Sequence, residues 1–304
     1  MAAPTLHRFR TISEFHEFRG LPGSEHPLVS VIDMEAVRRH PNHDISLVHD
    51  FYSISLKRSF NAKIRYGQQQ YDFDEGVMFF IGPGQVYSIG PVGDQPLRPT
   101  GWMLLIHPDF LWNTSLAAGI KKYDYFDYAV HEALFLSEKE ELIVSGIIRN
   151  IEQEYKGNID NFSQDIIIAQ LEVLLSYSER FYHRQFLTRK VTNHKLLDRL
   201  EALLDDYFEK ELPEKGLPTV QYVAAQLNVS PNYLSGLLKV LTGKSTQHHI
   251  QDKLIERAKE QLSTTELSVS EIAYSLGFEH PQSFSKLFRS KTQLSPLQFR
   301  QSFN

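Results

Sequence analysis

Within residues 219–304 one helical pattern is written twice, and no other feature of the chain limits its fold as strongly. Val223-Ala224-Ala225-Gln226-Leu227-Asn228-Val229 recurs as Ile272-Ala273-Tyr274-Ser275-Leu276-Gly277-Phe278, shifted by 49 positions. Leu234-Ser235-Gly236-Leu237-Leu238-Lys239 recurs as Phe284-Ser285-Lys286-Leu287-Phe288-Arg289, shifted by 50. One residue has been gained in the second turn, beside His280 and Pro281. Each copy spells a short helix, a tight turn and a second helix. A small residue, Ala224 or Ala273, stands where the two helices must approach. Four residues later come Asn228 and Gly277, both tolerant of the left-handed conformation that ends a helix abruptly. Ser230 suits the cap of the next helix, with Pro231 pre-set for its first turn, and Pro281 takes the same place in the second copy.

Past these caps, Leu234, Leu237, Leu238 and Leu241 repeat at helical spacing, as do Phe284, Leu287 and Phe288. The opposite faces are short, polar and basic: Asn232, Ser235, Gly236 and Lys239 flanked by Tyr233, then Gln282, Ser285, Lys286 and Arg289 flanked by Ser283. This is the helix-turn-helix plan, in which the second helix enters the DNA major groove. A single copy fits an ordinary helical hairpin equally well; two in register, at about 219–241 and 269–291, do not. A joining helix from about Thr246 to Leu262, with Ile250, Leu254, Ala258 and Leu262 spaced by four, spans roughly 25 Å. The two reading helices then reach successive major-groove segments of one duplex face. Expected DNA contacts are Asn232, Tyr233, Ser235, Lys239 and Ser245 in the first copy and Gln282, Ser283, Ser285, Lys286 and Arg289 in the second. Gly236 places no side chain on the first reading face, so the second helix is expected to carry more of the base discrimination.

Gly277-Phe278, Ser283 to Arg289, Leu294-Ser295-Pro296 and Phe299-Arg300 together resemble the signature of the AraC/XylS family of bacterial transcription regulators, over roughly the last hundred residues. The resemblance implies a sequence-specific regulator, an activator more than a repressor, with RNA polymerase as a candidate partner. Three positions depart from the family pattern. Lys253 sits where arginine is usual in the joining helix, Gln293 replaces the glycine before Ser295-Pro296, and Gly236 occupies a place where family members often carry a long base-contacting side chain.

The formal net charge of −5 runs against DNA binding until it is divided. Residues 219–304 hold nine Lys/Arg and six Asp/Glu, a balance of +3, leaving −8 on the preceding part. Positive charge is concentrated where phosphates would be met, and an excess this modest implies affinity that depends on salt. The absence of cysteine fits a reducing cytoplasm and excludes thiolate metal sites. The longest apolar runs, Val77 to Ile81 and Trp102 to Ile106, are too short to span a membrane. The first 25 residues lack an apolar export segment.

The front of the chain has another texture. Val29 to Met34, Ile45 to Val48, Phe51 to Leu56, Ala62 to Tyr66, Tyr71 to Asp74, Val77 to Ile81 and Trp102 to Ile106 are expected strands, broken by Gly/Pro turns. Their number suggests a sandwich or barrel. Glu75-Gly76 followed by Ile81-Gly82-Pro83-Gly84-Gln85 resembles the turn of the cupin-like barrels found at the amino end of many AraC-type regulators. Tyr87 stands where the later metal-binding histidine of an enzymatic cupin is expected, and no His-x-His occurs in this region, so no metal and no cofactor are expected. An aromatic ligand pocket would draw on Phe51, Tyr52, Phe79, Tyr87 and Trp102 and bind a small-molecule effector; ordinary core packing is the alternative for each.

Ser137-Glu-Lys-Glu140 is a capping box and opens one long helix. A second is expected from about Asp160 to Phe186. Its stripe of Ile167, Leu171, Leu174, Ser178 and Phe181 is a candidate homodimer seam, beside a second stripe of Ile168, Leu175 and Tyr182; packing within one chain is the alternative. The expected organisation is a two-domain α+β chain: a cupin-like sensory and dimerisation domain at 1–186, a linker at 187–193, and an all-α double helix-turn-helix domain at 194–304. Gly243-Lys244-Ser245 mimics the end of a P-loop, but Leu238 stands where its first glycine must be, after a helix instead of a strand. No recognisable catalytic triad, His-Glu-x-x-His or Gly-x-Gly-x-x-Gly is present. The expectation is a cytoplasmic, DNA-binding, effector-responsive regulator. The alternatives are a metal-dependent cupin-type enzyme with an accessory helical domain and a DNA-binding protein that needs no ligand.

Overall fold

The computed structural model describes residues 5–37, 45–58, 65–66, 69–70, 76–88, 100–129, 132–157, 160, 162–188 and 190–302. The chain divides into two units, Met1–Gln185 and Phe186–Asn304. The first is a β-sheet unit with helices; the second is helical.

In the first unit the strands are β1 (Thr5–Phe9), β2 (Val29–Asp33), β3 (Ile45–His49), β4 (Tyr52–Arg58), β5 (Arg65–Tyr66), β6 (Gln69–Gln70), β7 (Val77–Ile81), β8 (Tyr87–Ser88), β9 (Thr100–Ile106) and β10 (Leu134–Phe135). The helices are α1 (Ile12–Arg19), α2 (Leu116–Gly119), α3 (Glu138–Lys156) and α4 (Ser163–Thr188). One sheet runs β10-β7-β4-β9-β2, a second β1-β3-β8, and β5 pairs with β6. The expected strand at Tyr71 to Asp74, the first part of Ala62 to Tyr66 and the turn residue Glu75 lie outside the described residues.

The expected closed barrel is not formed among the described residues. The five-stranded sheet ends in β2 on one side and the two-residue β10 on the other, and neither edge bonds to the second sheet. Burial is reached by stacking layers instead. Side chains alternate across a strand, so Ser53, Ser55 and Lys57 leave one face of β4 while Tyr52, Ile54 and Leu56 leave the other. On the first face Ile32, Met103 and Leu105 share a core with Phe9, Ile12, Phe15, Leu47, Phe51 and Tyr87. On the second, Phe80 packs 4.5 Å from Tyr125 and 6.0 Å from Tyr182 of α4, and the Trp102 indole donates to Ser145 Oγ of α3 at 3.3 Å. Both sheet faces are therefore dry, which is why β7 and β9 are apolar without alternation.

The capping box of α3 is present: Ser137 Oγ accepts from the Glu140 N–H, and the Glu140 carboxylate accepts from the Ser137 N–H at 2.9 Å. The stripe expected to form a dimer seam on α4 is core. Ile167, Leu171, Leu174 and Phe181 are 3%, 1%, 0% and 4% exposed. The second stripe, Ile168, Leu175 and Tyr182, is buried as well. Both stripes are buried because the sheet's outer face and the segment carrying Tyr125 press against this unit's helices. α4 runs to Thr188 and α5 begins at Lys190, so the residues expected to form an open linker are helical on either side of position 189.

The second unit contains α5 (Lys190–Lys210), α6 (Leu212–Lys215), α7 (Val220–Leu227), α8 (Pro231–Thr242), α9 (Thr246–Thr264), α10 (Val269–Ser275), α11 (Pro281–Thr292) and α12 (Pro296–Gln301). The repeat seen in the sequence is repeated bond by bond. The Val229 N–H donates to the Ala224 carbonyl and the Phe278 N–H to that of Ala273, both at 3.0 Å. Asn228 adopts φ 57° and Gly277 φ 81°. A Cβ on Gly277 would come within 3.0 Å of the Gly216 backbone, so glycine is required there by approach as well as by φ. The duplication extends beyond the stretch legible in sequence. Thr242 and Thr292 both bond back four residues, Gly243 and Gln293 both end their helices in the left-handed region, and Ser245 and Ser295 both open the next helix. Helix α12 is therefore the second copy's counterpart of the start of α9.

Candidate nucleic-acid interface

The two reading helices, α8 and α11, are each held by a buried apolar ridge. Leu234, Leu237 and Leu238 are at most 1% exposed, and Phe284 and Phe288 are fully buried. Ser230 caps α8 by accepting from the Tyr233 N–H at 3.2 Å, whereas His280 opens α11 without a side-chain bond. The extra residue, Glu279, lies in this second turn and moves the start of α11 by one place.

The structure divides the expected contact residues. Gln282, Ser283, Lys286 and Arg289 are exposed on α11, and Ser285 is half-buried. On α8 only Lys239 is fully exposed; Asn232 and Gly236 are half-buried. Tyr233 turns inward, 4% exposed, with its ring edge-on to Phe186 at 5.1 Å. Its helical position is that of Ser283, but an aromatic ring at the margin of the apolar ridge gains more by burial than a hydroxymethyl group does. Ser235 is engaged within the fold too. Its hydroxyl bonds Thr246 Oγ1 at 3.0 Å, and Thr246 is fully buried at the head of α9. Ser245 is half-buried and bonds His248 Nδ1 at 2.8 Å. The first reading face is thus narrower than its sequence suggests.

The cations of residues 219–304 fall into two groups. Lys244 and Lys291 both grip Asp252 of α9, at 2.8 and 2.9 Å. Burial raises the Asp252 carboxyl, but these two ammonium groups outweigh it and hold the group below the ordinary carboxylate value. Lys253 pairs with Asp205 and Glu256, which raises its pKa. Arg257 pairs with Glu260 at 3.0 Å, Arg300 donates to the Leu262 and Leu267 carbonyls that end α9 and its loop, and Lys259 lies over the Phe299 ring. Of these cations Lys239, Lys286, Arg289 and Lys259 have neither an acidic partner nor a hydrogen bond, and the first three stand on the reading helices. Lys239 and Arg289 are equivalent positions of the repeat.

The five aromatic residues expected to line one pocket do not converge. Tyr52 and Trp102 lie on the helix-covered face of the large sheet, Tyr52 edge-on to Phe126 at 5.0 Å. Phe79 and Tyr87 lie on the inner side, and Phe51 is a fully buried core ring stacked on His49 at 4.6 Å. Strand alternation separates them. Among the described residues no group of three His, Asp or Glu side chains could hold a metal ion, and no helix is long and apolar enough to cross a membrane.

Two helix-turn-helix units on one joining helix, following a β-sheet unit in the chain, define a class of two-part regulatory architecture. Residues 223–302 match the family described as a helix-turn-helix domain, and residues 32–142 match the AraC-like ligand binding domain. The chain belongs to the AraC family of transcriptional regulators. It is 33% identical over 140 residues to the HTH-type transcriptional activator RhaS of Klebsiella pneumoniae, covering 46% of each protein. The chain spans about half the length of the curated relatives it matches. Among solved structures it is similar to the C-terminal domain of AraT, a response regulator of Geobacillus stearothermophilus (34% identity, 34% of this chain and 84% of that one, TM-score 0.30). It is also similar to the DNA-binding domain of AdpA, solved with a target DNA (25% identity, 34% of this chain and 91% of that one, TM-score 0.30).

Proposed function

We propose that this chain is a sequence-specific, double-stranded-DNA-binding transcription regulator, an effector-responsive activator that works in the cytoplasm as a homodimer and engages RNA polymerase. The observation that carries the DNA-binding part is the segregation of cations. Off the reading helices, every Lys or Arg of residues 219–304 except the exposed Lys259, which lies over the Phe299 ring, bonds an acidic side chain or a carbonyl, and so does Lys291 at the end of α11, tied to Asp252. The three open cations of the reading helices are placed to meet phosphate or guanine. Gln282 adds an amide able to bond adenine bidentately. The match of residues 32–142 to a ligand-binding family supports the effector, and the naming of RhaS as an activator supports the direction of control. Exposed Leu142, Phe162, Ile166 and Val173 on or beside α3 and α4 supply apolar surface for pairing two copies in place of the buried stripe.

Selection of bound duplexes from a random DNA library tests this reading. The expected outcome is one enriched site with two conserved blocks about one helical turn apart for each bound chain. The Gln282→Ala variant should relax preference at one or two base pairs of one block and cost roughly 1–3 kcal/mol on the best site. No enrichment, or enrichment that Gln282→Ala and Lys286→Ala leave unaltered, defeats it.

A further inference from the structure

We propose that Asp252 is a positioning residue for base readout. Acting through Lys291 and Lys244, it fixes how α11, and to a lesser degree α8, is held against α9, and so sets how sharply the chain tells one base pair from another. This rests on the reading of α8 and α11 as the helices that meet DNA.

Asp252 lies half-buried in the middle of α9. Its Oδ1 accepts from Lys291 Nζ at 2.9 Å, and its Oδ2 accepts from Lys244 Nζ at 2.8 Å. Lys291 is the last residue but one of α11, and Lys244 follows the glycine that ends α8. The arrangement is not part of the repeat. The position equivalent to Lys291 in the first copy holds Leu241, and that equivalent to Lys244 in the second holds Leu294. An ion pair belonging to the repeated unit would occur twice. This one occurs once, and it joins the copies: each supplies a lysine, at a place where its counterpart has none, to one carboxylate on the helix between them.

The two reading helices depend on it unequally. Helix α8 has two other polar ties to α9, the Ser235–Thr246 bond at 3.0 Å and the Thr242–His249 bond at 2.9 Å. Among the described residues Lys291 makes the only side-chain hydrogen bond or ion pair from α11 to α9. The rest of the seat is apolar, with Phe284 and Phe288 in one core with Leu254, Ala258 and Leu262. Apolar burial is strong but non-directional, whereas a charge-assisted bond fixes direction and distance. Gln282 lies nine residues before Lys291, roughly 13 Å along the helix. A swing of about 5° about the Lys291 end would carry it by roughly 1 Å. A base-edge hydrogen bond holds only between about 2.7 and 3.2 Å. Loss of the tie therefore blurs readout by α11 at little cost in stability, because partly exposed pairs contribute little to it.

The test compares the best duplex from the library selection with duplexes carrying one mismatched base pair. One mismatch falls in the block whose preference Gln282→Ala relaxes, the other in the second block. In the parent chain a mismatch should lower affinity roughly 5- to 150-fold. Asp252→Asn should shrink that ratio by about threefold or more in the α11 block and by less in the α8 block, with the urea midpoint close to the parent's. The change in net charge acts on matched and mismatched duplexes alike and cancels in the ratio. Lys291→Gln should reproduce the loss, Lys244→Gln should do less, and Asp252→Glu should restore most of the ratio. An unchanged ratio in Asp252→Asn, or a loss that Lys291→Gln does not share, overturns the proposal. So does a uniform fall in affinity with a lowered urea midpoint, which makes Asp252 a structural residue; Lys291→Gln, which leaves the carboxylate in place, decides the matter if Asp252→Asn does not fold. A parent chain that enriches no site removes the DNA reading and the proposal with it.

Discussion

The repeat contains its own stability experiment. Helix α8 ends at Gly243 with φ 74° and ψ 2°, and α11 ends at the equivalent Gln293 with φ 62° and ψ 2°. Each cap donates its N–H to the carbonyl four residues back, at 3.0 and 2.9 Å. The two sites thus share backbone and bonding and differ in whether a Cβ is present. A residue with a Cβ pays about 1–2 kcal/mol in this region, while glycine loses roughly 0.4–1 kcal/mol more chain entropy on folding. The balance predicts that Gln293→Gly stabilises the second unit by about 0.5–1 kcal/mol. The Gln293 side chain offers little to offset this, since it is exposed and makes only a 3.4 Å bond to the Ser290 carbonyl. Gly243→Ala should cost a similar amount, for nothing lies within 4 Å of the added Cβ and the penalty is conformational alone. Urea unfolding followed by helical circular dichroism measures both as midpoint shifts at unchanged slope. Gln293→Asn should fall between, as asparagine tolerates this conformation better than glutamine. A midpoint lowered by Gln293→Gly, or shifted the same way by both substitutions, refutes the reasoning and shows that the glutamine side chain supports the cap.

Further outcomes follow from burial and pairing. Leu171→Glu with Leu174→Glu should unfold the first unit, each charge costing several kcal/mol in the core; a soluble, folded monomer by sedimentation would return the stripe to an interface. Ser235→Ala should lower stability by about 1 kcal/mol through loss of its bond to buried Thr246; unchanged stability with altered base preference would make Ser235 a reading residue. Lys239→Ala should weaken binding to all sequences alike and reduce the slope of log affinity against log salt by about one. His49 is 1% exposed, and burial holds its pKa down to about 4. The folded pKa lies below the unfolded one, so the unfolded chain takes up the proton first, and stability falls as pH drops from about 6.5 to 4, by up to roughly 3 kcal/mol. His49→Gln should flatten this limb in urea titrations; an unchanged slope between these pH values counts against it.

The helical part of the chain was the more legible. Its caps are local: Asn228, Gly277, Ser230 and the Ser137 capping box each announce a helix end through chemistry contained in four or five residues. The strands were legible for the same reason, but their assembly was not. Whether β2 or β10 reaches across to the second sheet is a matter of register and layer packing, and no turn residue encodes it. The aromatic pocket failed on parity along the strands: Tyr52 and Trp102 face the helix-covered side, whereas Phe79 leaves the other face and Phe51, just before β4, lies in the inner core. Tyr233 and Ser235 lie on the polar arc of a helical projection, yet the first is drawn to Phe186 and the second to Thr246, partners 47 and 11 residues away.

The Asp252 bridge explains how a modest charge excess can suffice for a DNA-binding face. Lys244 follows the end of α8 and Lys291 ends α11, so a single carboxylate in the middle of α9 ties the trailing ends of both reading helices to the helix that joins them. The pairs are partly exposed, and their contribution to stability is small. Their geometric effect is larger, because they oppose rotation of either reading helix about its own axis at the end farthest from its N-terminus. The same bridge gives two ammonium groups an acidic partner, Lys244 staying 56% exposed, and leaves Lys239, Lys286 and Arg289 as the cations of the reading helices without one. A face with three open cations on two fixed helices depends on position more than on total charge. This favours base readout over non-specific attraction, since each phosphate contact adds to all sequences equally while alignment rewards only the matching one.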